Sequence, residues 1–304
     1  MTIAETVIEK NHRTINQNHQ FSILIPSWNN LPYLQLCIKS IRLNSAYSHQ
    51  IIVHINDGKD GTQEWVQQQK DIDYTSSNQN IGVCYALNIA ATLSHTDYIL
   101  FMNDDMYVCP DWDTVLMNEI RTIGHKNFFL SSTMIEPYDY NNPCVIHKNY
   151  GTTIDNFDEE LLLGECSSIK KDDWSGATWP PNIVHKDIWN AVGGYSIEFH
   201  PGLYSDPDFS MKLWQLGIRL FKGLGKSKVY HFARISSGRI KMNQGYYTFI
   251  QKWGYTSRYV MKNFIRRGEK YEGLLLQPIH PPGNSLKNLF KRVIASFKKV
   301  NLIF

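Results

Sequence analysis

The chain has 304 residues, 42% hydrophobic and 19% charged, a composition that excludes a wholly disordered protein and a length that buries a sizeable core without disulfide or metal staples. Its 31 basic and 28 acidic residues leave a formal charge of +3, too balanced for a protein that lives on nucleic acid. No run of about 18 apolar residues offers a membrane span, and five cysteines without a C-x-x-C pair argue against a zinc site or a disulfide framework.

Residues 1–20 read as a polar leader without the apolar stretch of a signal peptide, so a cytoplasmic chain is expected. FSILIP (21–26) is a short apolar strand, and 31–44 follows as a helix with Leu34, Cys37, Ile38 and Ile41 at helical spacing. IIVHI (51–55) is a second strand, halted by Asn56-Asp57-Gly58, and 62–69 is again helical. Gly82 opens a helix carrying Ala86, Leu87, Ile89, Ala90 and Leu93, and YILFM (98–102) is a third strand that runs into Asn103-Asp104-Asp105. This alternation predicts a mostly parallel α/β sheet flanked by helices, with ligands bound in the polar loops at the carboxyl ends of its strands.

From about 125 to 205 the periodicity fades and Trp174, Gly176, Trp179, Pro180, Pro181, Gly193 and Gly194 accumulate, the marks of a loop-rich specificity region. A helical pattern resumes over 209–216, just after Asp206-Pro207-Asp208. The expected organisation is a nucleotide-binding half over 21–110, a catalytic and acceptor-binding half of the same domain over 111–240, a helical extension over 241–283 and a distinct tail over 284–304.

Three acidic loops could carry chemistry. Asp57 at a strand end can accept from a base imide or a ribose, although Asn-Asp-Gly is also a common turn. Asp104 and Asp105 are adjacent carboxylates at a sheet edge, where a divalent cation bridging to phosphate would offset their repulsion; helix capping is the alternative. Asp206 and Asp208 precede a helix, either as charges favoured at its positive end or with one of them as a general base. His231, in VYHF, is a ligand or a structural histidine.

In order and context, these segments resemble the inverting glycosyltransferases of the GT-A (Rossmann-like) fold, family 2. The resemblance rests on ILIPSWNN (23–30), IIVHINDGKDGT (51–62), NQNIGVCYALN (78–88), YILFMNDD (98–105), VGGYSIEF (192–199), SDPDFSMKLWQLG (205–217) and VYHF (229–232). It implies that Pro26, Ser27 and Trp28 wrap the base and ribose of a UDP- or dTDP-sugar, that Asp57 reads the base, and that Asn80 and Gly82 flank the nucleotide. By the same resemblance, Asn103 and Asp104 lie at the ribose, Asp105 and His231 hold a divalent metal (Mn²⁺ or Mg²⁺), and Asp206 is the catalytic base. Asn103 replaces the first Asp of the family's Asp-x-Asp, and Ser205 replaces an acidic residue before the base. Trp174, Trp179, Tyr204 and Asp208 are candidate acceptor contacts, with core packing the equal alternative for the aromatics. The implied activity is metal-dependent sugar transfer to a glycan or lipid-linked acceptor in surface polysaccharide synthesis. A non-catalytic nucleotide-sugar or glycan binder of the same fold is the alternative.

The tail, SLKNLFKRVIASFKKVNLIF, places Leu286, Leu289, Phe290, Val293, Ile294 and Phe297 on one helical face. It carries Lys287, Lys291, Arg292, Lys298 and Lys299 and no acid. An anionic membrane surface is the expected partner; the other uses of such a face are packing on the enzyme's own core or on a second copy in a homodimer.

Overall fold

The computed structural model describes residues 6–14, 18–233, 244–279 and 286–298. A leader strand β1 (Ile8–Asn11) precedes alternating strands and helices: β2 (Phe21–Trp28), α1 (Leu31–Asn44), β3 (Gln50–Asn56), α2 (Thr62–Gln68), β4 (Ile72–Ser77), α3 (Gly82–Ala91) and β5 (Tyr98–Phe101). The chain continues through β6 (Met106–Val108), α4 (Trp112–Ile123), β7 (Phe128–Glu136), β8 (Ile146–His147), α5 (Glu159–Glu165), β9 (Trp174–Ser175), β10 (Asn182–His185) and α6 (Lys186–Val192). It closes with α7 (Ser205–Gln215), β11 (Leu220–His231), α8 (Gly245–Trp253), α9 (Ser257–Asn263) and α10 (Leu286–Ser296).

One sheet runs through the molecule in the order β1-β4-β3-β2-β5-β10-β7-β11-β6, with β8 on β7 and β9 on β11. The β4-β3-β2-β5 block is parallel, so its carboxyl ends open on one edge. Beyond it β10 runs antiparallel to both β5 and β7, and β11 pairs parallel with β7. The strand period of two divides the core between the faces. Ile23, Ile25, Ile51 and Val53 pack with Leu34, Cys37 and Ile38 of α1, while Leu24 and Ile52 pack with Cys84, Leu87 and Ala90 of α3. Phe249, Val260 and Phe264 join that second core, so α8 and α9 are fixed to the body of the sheet. All five cysteines are buried and free, and no described helix is long and apolar enough to cross a membrane.

Among the strands that escaped the sequence pattern, β4 and β7 are the most informative. The β4 strand reads IDYTSS, and its buried Thr75 and Ser77 both find a partner in His54: Nδ1 meets Thr75 Oγ1 at 2.7 Å and Nε2 meets Ser77 Oγ at 3.2 Å. Asp73 accepts from Thr14 N and Oγ1, which ties the segment after β1 to the amino edge of the sheet, and from Gln50 Nε2 of β3. The long central strand β7 lies inside the stretch where periodicity fades. It is buried throughout, so it has no polar face to alternate, and Ser132 and Thr133 are satisfied by Ser227 Oγ and the Leu224 carbonyl.

Candidate functional site

The parallel strands end in loops that face the start of α7, and between them lies a cleft of about 880 Å³. That is the size of a small-molecule site. Its donor-side wall comes from Pro26 to Asn30 at the carboxyl end of β2, from Asn80 and Gly82 at the start of α3, and from Asn103, Asp104 and Asp105 after β5. The facing wall comes from Glu136 at the end of β7, Trp179, the 201–206 loop and His231 at the end of β11.

On the donor side, the side chains order one another over short range. Asp104 accepts from Ser27 Oγ at 2.7 Å and from Asn30 Nδ2 at 3.1 Å. Asn56 Oδ1 accepts from Ile81 N, and Asn80 Oδ1 from Gly82 N, which shapes the entry to α3. Gly82 has φ +70, and a Cβ there would lie 2.7–2.8 Å from His200 and the Pro201 backbone. Only glycine lets the 200–202 loop close on α3 here. Asp57, also in a left-handed conformation, accepts from Asn29 Nδ2 at 3.2 Å and pairs with Lys59 at 2.8 Å. It stands behind Asn29 and is not among the residues that line the cleft.

On the facing side, His231 lies between two carboxylates. Its Nε2 is 3.3 Å from Asp105 Oδ1 and its Nδ1 is 2.7 Å from Glu136 Oε1. Burial opposes a charge on the ring, yet Asp105 and Glu136 together raise its pKa to about 10. Glu136 was missed by sequence reasoning: nothing in FFLSSTMIE marks its last residue, and its partner is 95 positions away. The Nε2–Oδ1 separation is close to the edge length between neighbouring ligands of a small divalent cation with bonds of about 2.1 Å. A carboxylate on the far nitrogen is the usual device that aims a ligating imidazole. A cation that displaced the Nε2 proton of this charged ring would find one carboxylate oxygen and one oriented imidazole nitrogen, a donor set with open positions.

Asp206 is the second residue of α7, on the wall facing Asp104 and Asp105. Burial raises its pKa to about 7, against the opposing effect of Tyr195, whose hydroxyl donates to Oδ1 at 3.2 Å. A carboxylate tuned near neutrality and open to a ligand-sized cleft is suited to general-base work.

Pro26, Ser27, Trp28, Asn80, Gly82, Asn103, Asp104, Asp105, Trp179, Asp206 and His231 thus share one cleft. Trp174, Tyr204 and Asp208 do not line it. Trp174 packs flat against Gly223 of β11 and donates Nε1–H to Thr133 Oγ1, which is a core role. Tyr204 precedes α7 with φ +71 and packs on Tyr246 and Phe249. Asp208 is fully buried and accepts from Trp253 Nε1 and Lys252 Nζ, tying α7 to α8. The His12, Asp73 and His95 cluster lies at the amino edge of the sheet, away from the cleft.

A parallel nucleotide-type sheet, with an acidic loop after β5 and the Asp206 carboxylate in the same cleft, is the arrangement of a GT-A fold. Residues 22–170 match the family model described as Glycosyl transferase family 2. Among solved structures it is similar to Staphylococcus aureus TarS 1-349, at 14% identity and a TM-score of 0.51 over 70% of this chain and 60% of that one. It is also similar to GalNAc-T7, solved with UDP, GalNAc and Mn²⁺, at 12% identity and a TM-score of 0.55 over 76% of this chain and 48% of that one. At such identities the likeness is one of fold, and the chain spans only about half to three fifths of those proteins. No curated protein matches it in sequence.

Proposed function

We propose that this protein transfers a sugar from a UDP- or dTDP-sugar to a hydroxyl of a glycan or lipid-linked acceptor, with inversion, in surface polysaccharide or glycoconjugate synthesis. The five buried free thiols suit a reducing, cytoplasmic compartment, and the acceptor is reached at the cytoplasmic face of a membrane. The observation that carries the reading is Asp206, held near neutrality on the wall that faces Asp104 and Asp105. Asp206 takes the proton of the acceptor hydroxyl as the oxygen bonds the anomeric carbon, and the bond from that carbon to the nucleoside diphosphate breaks with its electron pair on the leaving oxygen. A single displacement inverts the centre. Base assistance of this kind contributes about 10²–10⁴-fold.

Asp105 and His231 would hold the divalent cation, Mn²⁺ or Mg²⁺, with Glu136 fixing the imidazole, and that charge would offset the charge developing on the diphosphate. Ser27, Trp28, Asn80 and Asn103 orient the nucleotide, with Asp104 held in place for the ribose by Ser27 and Asn30. Asp57 acts one layer out, through Asn29.

The test is a thermal-shift panel of nucleotide sugars with and without Mn²⁺, since a ligand of the folded state stabilises it as RT ln(1 + [L]/Kd). A UDP- or dTDP-sugar should stand out, and the anomeric configuration of the product should be opposite to that of the donor. A panel with no nucleotide-dependent shift overturns the reading.

A further inference from the structure

The tail helix α10 sits on the body by the wrong face for a core element. Asn288 Nδ2 donates to the Gly254 carbonyl at 3.0 Å, Ala295 is fully buried, and Gln251 Nε2 donates to the Ala295 and Lys298 carbonyls. Residues 288, 292 and 295 form one side of the helix at 100° per residue. The opposite side carries Leu289, Phe290, Val293, Ile294 and Phe297, exposed by 53%, 65%, 48%, 36% and 83%. Packing on the enzyme's own core, which would bury this face, is therefore not what these residues do. A contiguous exposed apolar stripe on one short helix marks an interaction surface.

We propose that this face docks on an anionic lipid bilayer. The charge pattern selects this occupant: residues 284–304 hold five basic residues and no acid. A second copy would bring five more cations to the contact, whereas anionic headgroups neutralise them. The helix is also placed to matter for the reaction. Its support α8 packs through Phe249 on Tyr204 and Phe199, and Lys252 of α8 pairs with Glu198 and with Asp208, two residues beyond Asp206. Docking through α10 would thus set the bilayer beside the wall that carries the catalytic base, where an acceptor borne on a lipid enters in the plane of the membrane. Only this last clause rests on the glycosyltransferase reading; docking itself does not.

The experiment is flotation of the full chain with phosphatidylcholine vesicles, with and without phosphatidylglycerol. The unmodified protein should float with the anionic vesicles and not with the neutral ones. Phe290→Ser with Phe297→Ser should cut that binding about tenfold or more while keeping the donor-induced thermal shift, because both side chains are exposed. Lys291→Gln with Lys298→Gln removes two of the five tail cations and should weaken binding and reduce, without abolishing, its salt dependence. Equal flotation of the parent and the double-serine variant overturns the proposal. So does a dimer of the parent in sedimentation that the double-serine variant abolishes, which would assign the face to a second copy. A protein that floats as described but shifts with no nucleotide sugar keeps the docking surface and rejects the enzymatic reading.

Discussion

On the donor wall, Asp104, just after β5, is held by Ser27 and Asn30 at the end of the adjacent parallel strand β2. On the facing wall, His231 meets Glu136 across 95 positions of sequence, and Asp206 leans on a tyrosine from a separate loop. The two walls also differ electrostatically. The donor wall shows neutral amides and hydroxyls satisfying a carboxylate, whereas the facing wall holds an imidazole with its pKa raised to about 10 and a carboxyl raised to about 7. A wall that only recognises can be locally satisfied. A wall that moves protons or holds a cation keeps groups away from their ordinary protonation equilibria.

If that division is correct, the largest effect belongs to Asp206. Asp206→Asn should lower turnover by about 10²–10⁴-fold while leaving the donor-induced thermal shift in place. Turnover at the parent rate would break the comparison at its centre and remove the base from this wall. A nucleotide-sugar binder without chemistry would show the shift in both proteins and turnover in neither. Next comes Glu136→Gln, which keeps the shape but loses the charge on His231 Nδ1. Mn²⁺ affinity, read by calorimetry, should fall about 10–100-fold, and activity should recover as Mn²⁺ is raised. Unchanged affinity would reduce Glu136 to a strand-end residue.

What could be read from the sequence follows the same line. The loops after 21–26, 51–55 and 98–102 were legible because each buried parallel strand announces itself and its carboxyl end then supplies the site. The helix 31–44 coincides with α1, since an apolar stripe and a proline in its first turn mark it locally. β4 and β7 were hidden because polar residues such as Thr75, Ser77, Ser132 and Thr133 are buried with partners elsewhere in the chain. Glu136 was hidden for the same reason: its role exists only once β7 and β11 lie side by side. Trp174 misled because a tryptophan in a glycine-rich stretch suits a core wedge against Gly223 as well as a sugar platform.

A smaller effect tests how tightly the walls are joined. Gly82→Ala forces a side chain into the left-handed region and against the Pro201 backbone, so stability should fall by about 2 kcal/mol. Donor affinity should fall with it, because Asn80 and the 201–206 loop shift together. A change within about 0.5 kcal/mol, the usual range for a surface substitution, would mean that the 200–202 loop yields freely.

A comparable effect, spread over several pH units, concerns stability against pH, and its sign is fixed by the direction of the Asp206 shift. Its carboxyl has a pKa near 3.8 when exposed and about 7 in the folded protein, because burial disfavours its charge. Between those values the folded state keeps a proton that the unfolded chain has released, so the folded state loses stability as pH rises through that window. Below it both states are protonated and Asp206 costs nothing; above about 7 both are ionised and the full penalty stands. Asp206→Asn removes the penalty. In metal-free protein the variant should gain on the parent from pH 5 to pH 8, reaching roughly 1–3 kcal/mol, less than the full shift because the cleft admits water. His231, with its pKa raised, also contributes stability that declines toward high pH, but it does so equally in both proteins and cancels from the difference. Paired denaturant titrations across that range read the effect directly. A difference that stays flat from pH 5 to 8 would mean that Asp206 ionises as an ordinary surface carboxylate, and the facing wall would lose the feature that sets it apart from the donor wall.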